Sequence, residues 1–279
     1  MKRVFITAVV VSLTACSTFS ELQLPQSSGE KLSGYTYIPL DPLPVALPLC
    51  EEKGFALKPL LDALPDNTIR MVVKEFDADG SLSFGLVNIG VQGKRYQVVL
   101  DYINSDITNI WVTVRKKEGR ISIERLDKAF SPDSNNKDDS LVYSGGIPVY
   151  IGVGLRLTAD FKINHGEVRL SSLGSIAAAV EAGNATGSLV VQTLGMTGKQ
   201  VSTVLPLPSE LNQTTVQNAI LALGSIKTML NSEKSLVITP RVVGMYIPFQ
   251  ADLATINVII TTLGGRRIEW SQPCEKSIR

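Results

Sequence analysis

The feature that most constrains the fold is a run of strict alternation between apolar residues and polar or small ones. The apolar positions are all odd-numbered: Val149, Ile151, Val153, Leu155, Leu157, Ala159, Phe161 and Ile163. Side chains on a β-strand point alternately to opposite faces, so this period of two predicts one strand over 149–163 with a continuous apolar face. Its even face carries Arg156 and Asp160 beside small glycines. Strands usually have about 5–6 residues, so this one is unusually long.

Two interpretations of the long strand are open. It is a core strand of a sheet, in which Gly152 and Gly154 allow a bend, or it is a strand of an oligomeric pore. In a pore the odd face would meet lipid and the even face would line the lumen. The core strand is favoured, because the next strand-like segment, Gly187–Met196, alternates poorly and would make a weak hairpin partner.

Five segments ahead of the long strand are also rich in Val, Ile, Tyr and Trp. They are Ile69–Phe76, Leu82–Val91, Lys94–Ile103, Thr108–Lys117 and Arg120–Arg125. Short turn-forming sequences such as Asn104-Ser105-Asp106 and Glu118-Gly119 separate them, which predicts an antiparallel meander. Prolines punctuate residues 39–48, and their spacing predicts an extended connector on the domain surface.

Helices and further strands are predicted after the long strand. Leu173–Ala182 is helix-prone, and Gly183 can end it. Residues 214–230 repeat apolar side chains at three- and four-residue spacing, which predicts an amphipathic helix with Asn212 as its N-cap. Ser235–Ile247 and Thr255–Leu263 are rich in β-branched residues and are predicted strands.

The predicted fold class is therefore α+β. It is mostly antiparallel β, of a meander or sandwich type, with one clear amphipathic helix near 214–230 and a shorter one near 173–182. Residues 131–147 begin with a strongly polar sequence and are interpreted as a loop. This loop would divide a subdomain over 35–130, made of the Pro-rich connector and the meander, from an α+β subdomain over 148–279.

The N-terminus has the pattern of a secretory signal. Lys2 and Arg3 precede an apolar run from Val4 to Leu13. A run of that length is shorter than the ~18 residues that a membrane-spanning helix needs.

The sequence Leu13-Thr14-Ala15-Cys16 resembles the lipobox of bacterial lipoproteins, and this resemblance covers residues 1–16 only. It implies that residues 1–15 are a signal peptide, and that Cys16 carries lipid which holds the protein to a membrane. Ser17 follows the cysteine, and in this family a residue other than Asp there usually implies export to the outer membrane. The resemblance therefore places the protein in the cell envelope, anchored to the outer membrane.

Residues 16–34 are interpreted as a flexible tether between the lipid and the fold, with an average reach of about 25 Å. The other two cysteines are Cys50 and Cys274. An exported chain meets an oxidising compartment, so an even pair of cysteines predicts a disulfide between them. Two unrelated thiols are the alternative.

Composition and motifs indicate which chemistries to expect. The chain has 27 basic and 26 acidic residues, a balance that argues against a general nucleic-acid surface. Residues 195–200 lack the glycine and the hydroxyl residue of a phosphate-binding loop, so no nucleotide is predicted. His165 is the one histidine. No catalytic residue, cofactor or metal site is predicted.

The functional hypothesis is a non-enzymatic binding or assembly module of the envelope. Its partners would be the membrane, through the N-terminal lipid, and an envelope protein or a second copy of the chain. One alternative is a component of an oligomeric pore or secretion channel that inserts strand 149–163. The other is an exported hydrolase, for which His165 would be the obvious general base.

Overall fold

A computed structural model describes residues 36–46, 61–64, 66–76, 82–85, 89–126, 139–232, 236–249, 251, 253–265 and 267–270. Its strands are β1 (Thr36–Ala46), β2 (Asp66–Phe76), β3 (Leu82–Gly85), β4 (Ile89–Val91), β5 (Arg95–Lys117), β6 (Arg120–Leu126), β7 (Leu141–Ile163), β8 (Glu167–Arg169), β9 (Ala185–Leu194), β10 (Met196–Thr197), β11 (Ser209–Glu210), β12 (Val237–Ile238), β13 (Arg241–Ile247) and β14 (Ile268–Glu269). Its helices are α1 (Leu173–Glu181), α2 (Lys199–Val204), α3 (Gln213–Ser232) and α4 (Leu253–Gly264).

Two strands of 23 residues, β5 and β7, form the centre of the fold. They pair antiparallel along almost their whole length, from Arg95 opposite Lys162 to Arg115 opposite Leu141. The alternating run that the sequence predicts as a strand is the C-terminal part of β7. One ten-stranded sheet is built on this pair, and the fold is α+β with mostly antiparallel strands, as predicted.

The other strands attach to different halves of the central pair. The sheet order is β14-β1-β13-β7-β5-β2-β3, while β9 also pairs with β7, β6 with β5 and β11 with β9. Two further two-stranded sheets are β10-β12 and β4-β8. All these pairs are antiparallel except β1 with β14, which run parallel.

Two glycines of the long strand bring β5 and β7 unusually close. A Cβ on Gly154 would overlap the carbonyl oxygen of Tyr102, and one on Gly152 would lie 2.7 Å from the carbonyl oxygen of Asn104. Only glycine fits such an approach. The sheet is also strongly coiled, because Arg70 on β2 reaches Tyr246 on β13 although β5 and β7 lie between those strands in the order.

The odd face of β7 forms the main core. All eight predicted apolar side chains are at most 1% exposed. They belong to one cluster of buried residues with Ile176 of α1, Ala219 and Ile226 of α3 and Ile259 of α4. Helices therefore cover the odd face, and the even face of the sheet points the other way.

Both predicted helices are confirmed, together with their caps. The Oγ of Ser172 accepts from the backbone N–H groups of the first turn of α1, and Gly183 follows that helix with a positive φ of 76°. At α3, the Oδ1 of Asn212 accepts from the N–H of Thr215 at 2.9 Å. These bonds satisfy donors that a helix leaves unpaired at its start.

The predicted strand at Thr255–Leu263 is wrong, since these residues lie in α4. Their β-branched composition favours a strand, but Ile256, Ile259 and Leu263 are buried at the three- and four-residue spacing of a helix. The hydroxyls of Thr261 and Thr262 donate to carbonyls four residues earlier. Tertiary packing thus overrides the local preference.

The predicted turn at Asn104-Ser105-Asp106 is also wrong, because β5 continues through it. These residues pair with Val153, Gly152 and Ile151 of β7. A long partner strand supplies the hydrogen-bond ladder that the polar sequence alone does not indicate. Conversely, the predicted strand Leu82–Val91 is divided into β3 and β4, and β4 pairs with β8 outside the main sheet.

Three further predictions, on a boundary, on the place of a segment and on a strand partner, need correction. Leu141–Ile147, predicted as part of the polar loop, are the start of β7, so one sheet joins both predicted subdomains. The first part of segment 39–48, predicted as a surface connector, lies inside the sheet as β1, between β13 and β14. Segment Gly187–Met196, predicted as a weak hairpin partner of the long strand, contributes most of β9, which pairs with β7 from Ala185 to Leu194.

Candidate functional site

A buried ion pair lies on the even face of β7, where β5 and β7 are direct neighbours. Asp101 and Arg156 are register partners and are 0% and 5% exposed. The Nε of Arg156 donates to Oδ1 of Asp101 at 2.6 Å, and its Nη2 donates to Oδ2 at 2.7 Å. This two-point geometry is the strongest that a guanidinium and a carboxylate form.

Arg156 also binds two backbone carbonyls at irregular places in the sheet. Its Nη1 donates to the carbonyl of Leu40 at 2.6 Å, and its Nη2 to that of Val243 at 2.7 Å. The β1–β13 register shifts between Pro39 and Leu43, and the β13–β7 register shifts between Val242 and Gly244. Such bulges leave backbone groups without ladder partners, and the guanidinium supplies the missing donors.

Tyr37 of β1 completes this network. Its hydroxyl donates to Oδ2 of Asp101 at 2.6 Å. Burial raises the pKa of Tyr37 well above its ordinary value, and the charge and hydrogen bond of Asp101 act in the same direction. Burial alone would lower the pKa of Arg156, but the hydrogen bonds and charge of Asp101 raise it. We call Tyr37, Asp101 and Arg156 the β1 lock.

The β1 lock is suited to holding strands and poorly suited to catalysis. Asp101 is fully buried, and both its oxygens accept from the lock itself. Tyr37 is kept protonated, so it offers no nucleophile. A substrate would have to displace bonds on which three strands depend.

A tyrosine cluster lies beside the lock. Tyr37, Tyr150 and Tyr246 meet edge to face, with ring centroids 5.5–5.9 Å apart. The guanidinium of Arg70 lies 4.1 Å from the centre of the Tyr150 ring and donates to the hydroxyl of Tyr246. An arginine over a tyrosine ring is a favourable cation–π contact. The protein's own cation therefore occupies the place that a ligand cation would take.

Farther along the same face, a shallow and open depression surrounds a second ion pair. The Arg95 guanidinium donates to both oxygens of Asp160 at 2.8 Å, and Lys162, Thr186 and Ser188 also line the depression. The bonds to Asp160 raise the pKa of Arg95. Both partners are open to water, so this pair contributes little to stability.

The helix layer presents a different surface. We call the exposed, outward side of α3 the α3 outer face; it consists of Gln217, Asn218, Ile220, Leu221, Gly224, Lys227 and Thr228. Lys227 is its one charged residue, and Ile220 and Leu221 are 42% and 68% exposed. The three helices α1, α2 and α3 contain only three charged residues, Glu181, Lys199 and Lys227. Surfaces so depleted of charge are typical of the centre of protein interfaces.

The predicted site residues fall in several places. Cys16, Cys50 and Cys274 lie outside the described residues. The odd face of strand 149–163 lies in the core beneath the helices. His165 is exposed just after β7, where its backbone N–H donates to the carbonyl of Asn184 at 3.1 Å.

Among the described residues, no three His, Cys, Asp or Glu side chains are grouped to hold a metal ion. Within the same ranges, no helix has both the length and the apolar character needed to cross a membrane.

The sequence does not predict the β1 lock. It shows Arg156 as a charge on the even face of the long strand, but it does not identify the partner. One signal is present, because Asp101 is a single acid within the apolar sequence from Val98 to Ile103. A charge in such a run indicates a buried partner, although the sequence does not say which one.

The chain matches no protein-family model, no curated protein and no solved structure. Its function therefore has to be inferred from the residues and contacts of the chain itself.

Proposed function

We propose that the protein is an exported lipoprotein of the bacterial envelope that binds another envelope protein and catalyses no reaction. The observation that supports binding is the α3 outer face. It combines two exposed aliphatic side chains, Ile220 and Leu221, with neighbours of which only Lys227 is charged. Removing aliphatic surface from water is favourable by roughly 25 cal/mol per Å², and Lys227 is the single charge on this face that a partner has to accommodate.

The chemistry of this face defines the partner. A strongly charged protein or a nucleic acid would lose hydration without gaining ion pairs, because Lys227 is the only charged residue in α3. A protein surface that is itself apolar and uncharged loses the least hydration and gains the most. A Cβ added to Gly224 would meet nothing within 4 Å, so the partner could approach the α3 backbone closely there.

The N-terminal resemblance supplies the location. Lipid on Cys16 would hold the protein at the outer membrane, and residues 16–34 would let the fold search within about 25 Å of it. Confinement of this kind raises the local concentration of partners in the same membrane. A tethered protein can therefore bind a partner in the same membrane through a small apolar surface such as the α3 outer face.

Photo-crosslinking in intact cells tests the proposal. A crosslinking amino acid replaces Gln217, which borders Leu221 on the α3 outer face, and the captured protein is identified by mass spectrometry. Leu221→Asp should abolish the crosslink, because an uncompensated carboxylate would be buried at the contact. Ile107→Asp is the matched control, since Ile107 is an exposed aliphatic residue on β5. Its side chain lies on the face away from the helices, so the crosslink should persist.

Two outcomes would contradict the proposal. One is a crosslink that Leu221→Asp and Ile107→Asp leave equally strong, which would place binding elsewhere. The other is the absence of any crosslinked protein from Gln217 in cells where the protein is present at its normal level. Self-association is distinguished by the mass of the crosslinked species, which would be a dimer of the chain.

The pore and hydrolase alternatives have less support. The odd face that would meet lipid belongs to the same buried cluster as residues of α1, α3 and α4, so insertion would require this core to open. His165 is exposed at a turn, with no described acid hydrogen-bonded to it. Intact dye-loaded liposomes after addition of the lipidated protein would exclude the pore.

A further inference from the structure

Strand β1 has an incomplete backbone ladder on both sides. Three of its eleven residues, Pro39, Pro42 and Pro44, have no N–H to donate. On one side it pairs with β13 in two short stretches interrupted by a register shift. On the other side, within the described part of the chain, only Val45 and Ala46 pair, with β14. A central strand normally gains a continuous ladder from each neighbour.

Side-chain contacts hold β1 where its backbone hydrogen bonds to neighbouring strands are missing. The Tyr37 hydroxyl binds Asp101 of β5, and Arg156 of β7 binds the carbonyl of Leu40. The Tyr37 ring lies directly over Gly244 of β13, where any Cβ would overlap it. Ile38 and Leu40 add apolar burial at 1% and 2% exposure. The lock thus joins β1 to the two long strands, which are not its ladder neighbours.

The rest of the sheet does not depend on β1 in the same way. The β5–β7 ladder is continuous across the lock, and β2 and β9 flank it on either side there. The main core beneath α1 and α3 is formed largely by β7, β9 and the helices. Removal of β1 would break its pairing with β13 and β14 and withdraw four aliphatic side chains, Ile38, Leu40, Leu43 and Val45, from the core, but would leave these ladders in place.

We infer that the β1 lock is a latch: β1 opens as a separate unit before the rest of the fold, and Tyr37, Asp101 and Arg156 determine how readily it does so. β1 is the first described strand after the predicted tether. With the proposed lipid anchor at Cys16, on which this part of the inference rests, tension between the membrane and the folded domain would act on β1 first, and the latch would set the load at which the strand leaves. This inference does not rest on the α3 outer face.

Native-state hydrogen exchange of the full mature chain, followed at increasing denaturant, tests the latch. In the wild-type protein the amides of β1 should exchange through an opening that needs less denaturant than the opening of β7. Separate openings of this kind identify separate cooperative units. If β1 and β7 exchange through one common opening, the inference is overturned.

Two substitutions show what controls the opening. Tyr37→Phe removes one hydrogen bond to the buried carboxylate and keeps the ring, so β1 amides should exchange about tenfold to a hundredfold faster. Ile226→Val is the control, because it weakens the α3 core and not the lock. It should accelerate the exchange of β7 and α3 amides by a few-fold and leave β1 unchanged, since α3 stays folded when β1 opens.

The two variants exclude the simpler explanations. Equal acceleration of β1 and β7 by Ile226→Val would show that β1 opens only with the whole protein. Unchanged β1 exchange in Tyr37→Phe would show that the Tyr37–Asp101 bond does not hold the strand. Either result overturns the latch.

Discussion

The backbone N–H of Trp270 donates to the carbonyl of Ala46 at 3.1 Å, at the place where β1 and β14 run parallel. The two strands therefore point the same way at their C-terminal ends. Cys50 and Cys274 each follow four residues after this bonded pair, outside the described residues. Four residues span at most about 13–14 Å, so equal offsets from one contact are compatible with a bond between the two cysteines.

We therefore expect a Cys50–Cys274 disulfide in protein isolated from the envelope. A digest without reductant should contain one linked peptide pair with both cysteines, and reduction should separate it. Cys50→Ser should leave Cys274 open to alkylation. Complete alkylation of both thiols in unreduced wild-type protein would contradict the pairing.

Loss of the Asp101 charge should destabilise the fold strongly. Asp101→Asn leaves the buried guanidinium of Arg156 without its counter-charge, and removal of one partner of a buried pair costs about 3–5 kcal/mol. The free energy of unfolding in urea measures this loss. Asp160→Asn is the matched control, because it breaks the same type of pair with Arg95 where water screens it. Its loss should be much smaller, and similar losses in both variants would refute the prediction.

Alkaline stability should depend on Tyr37. The pKa of Tyr37 in the folded protein is raised above its ordinary value of 10.0 by burial and by Asp101. As pH rises through 10, the ordinary pKa of tyrosine, Tyr37 ionises in the unfolded chain but stays protonated in the folded one. The folded state binds the Tyr37 proton more tightly. The contribution of this proton to the free energy of unfolding is therefore fully present below pH 10 and is lost as pH rises further.

The Tyr37→Phe variant isolates this effect. Its free energy of unfolding should decline less steeply than that of the wild type from about pH 10 to pH 11. Near pH 7 the two proteins should show the same dependence on pH, since the tyrosine is protonated in both states. Parallel curves above pH 10 would show that Tyr37 does not control alkaline stability.

Two glycines should respond in opposite ways to alanine. Gly154→Ala places a Cβ on the carbonyl oxygen of Tyr102, and forcing β5 and β7 apart should cost about 1–3 kcal/mol. Gly224→Ala lies on α3 with open space around it, so it should stabilise by about 0.5–1 kcal/mol through helix propensity. Thermal unfolding monitored by circular dichroism measures both. A tolerated Gly154→Ala would argue against the close approach.

Lipidation should depend on one thiol. Cells fed labelled palmitate should incorporate it into the wild-type protein, which should fractionate with membranes. Cys16→Ala should abolish both, because the thiol that carries the lipid is gone. An unlabelled wild-type protein, or a Cys16→Ala variant that remains bound to membranes, would contradict the lipoprotein assignment.

Local sequence patterns correctly predict those helices and strands in which the spacing of apolar residues matches the side that is buried. The odd face of β7 and the apolar face of α3 show their periods without interruption, and Asn212 and Gly183 act as caps where expected. The prediction for Thr255–Leu263 is wrong because β-branched residues favour strands locally, while the burial of Ile259 and Leu263 requires a helix. Periodicity over so short a segment does not separate the two.

Long-range pairing could not be predicted from the sequence. The β1 lock joins residues that are far apart in the chain, and only the register of β5 on β7 places Asp101 beside Arg156. The scarcity of charge in α3 is visible in the sequence, but the exposure of its outer face depends on which side of the helix the sheet covers. The merging of both predicted subdomains into one sheet likewise depends on β5 continuing through Asn104.

The Asp101–Arg156 pair also selects one alignment of the two long strands among several. A slip of β5 against β7 by two residues would keep every apolar side chain on its own face, so hydrophobic patterning alone does not forbid it. It would, however, place Asp101 opposite Gly154 or Thr158 and leave two buried charges unmatched. A slip of β5 by one residue would turn Asp101 into the core and the apolar side chains of β5 away from it. The salt bridge thus fixes the register of β5 on β7. The alternating apolar pattern would permit slips of two residues, and the buried ion pair makes those slips unfavourable.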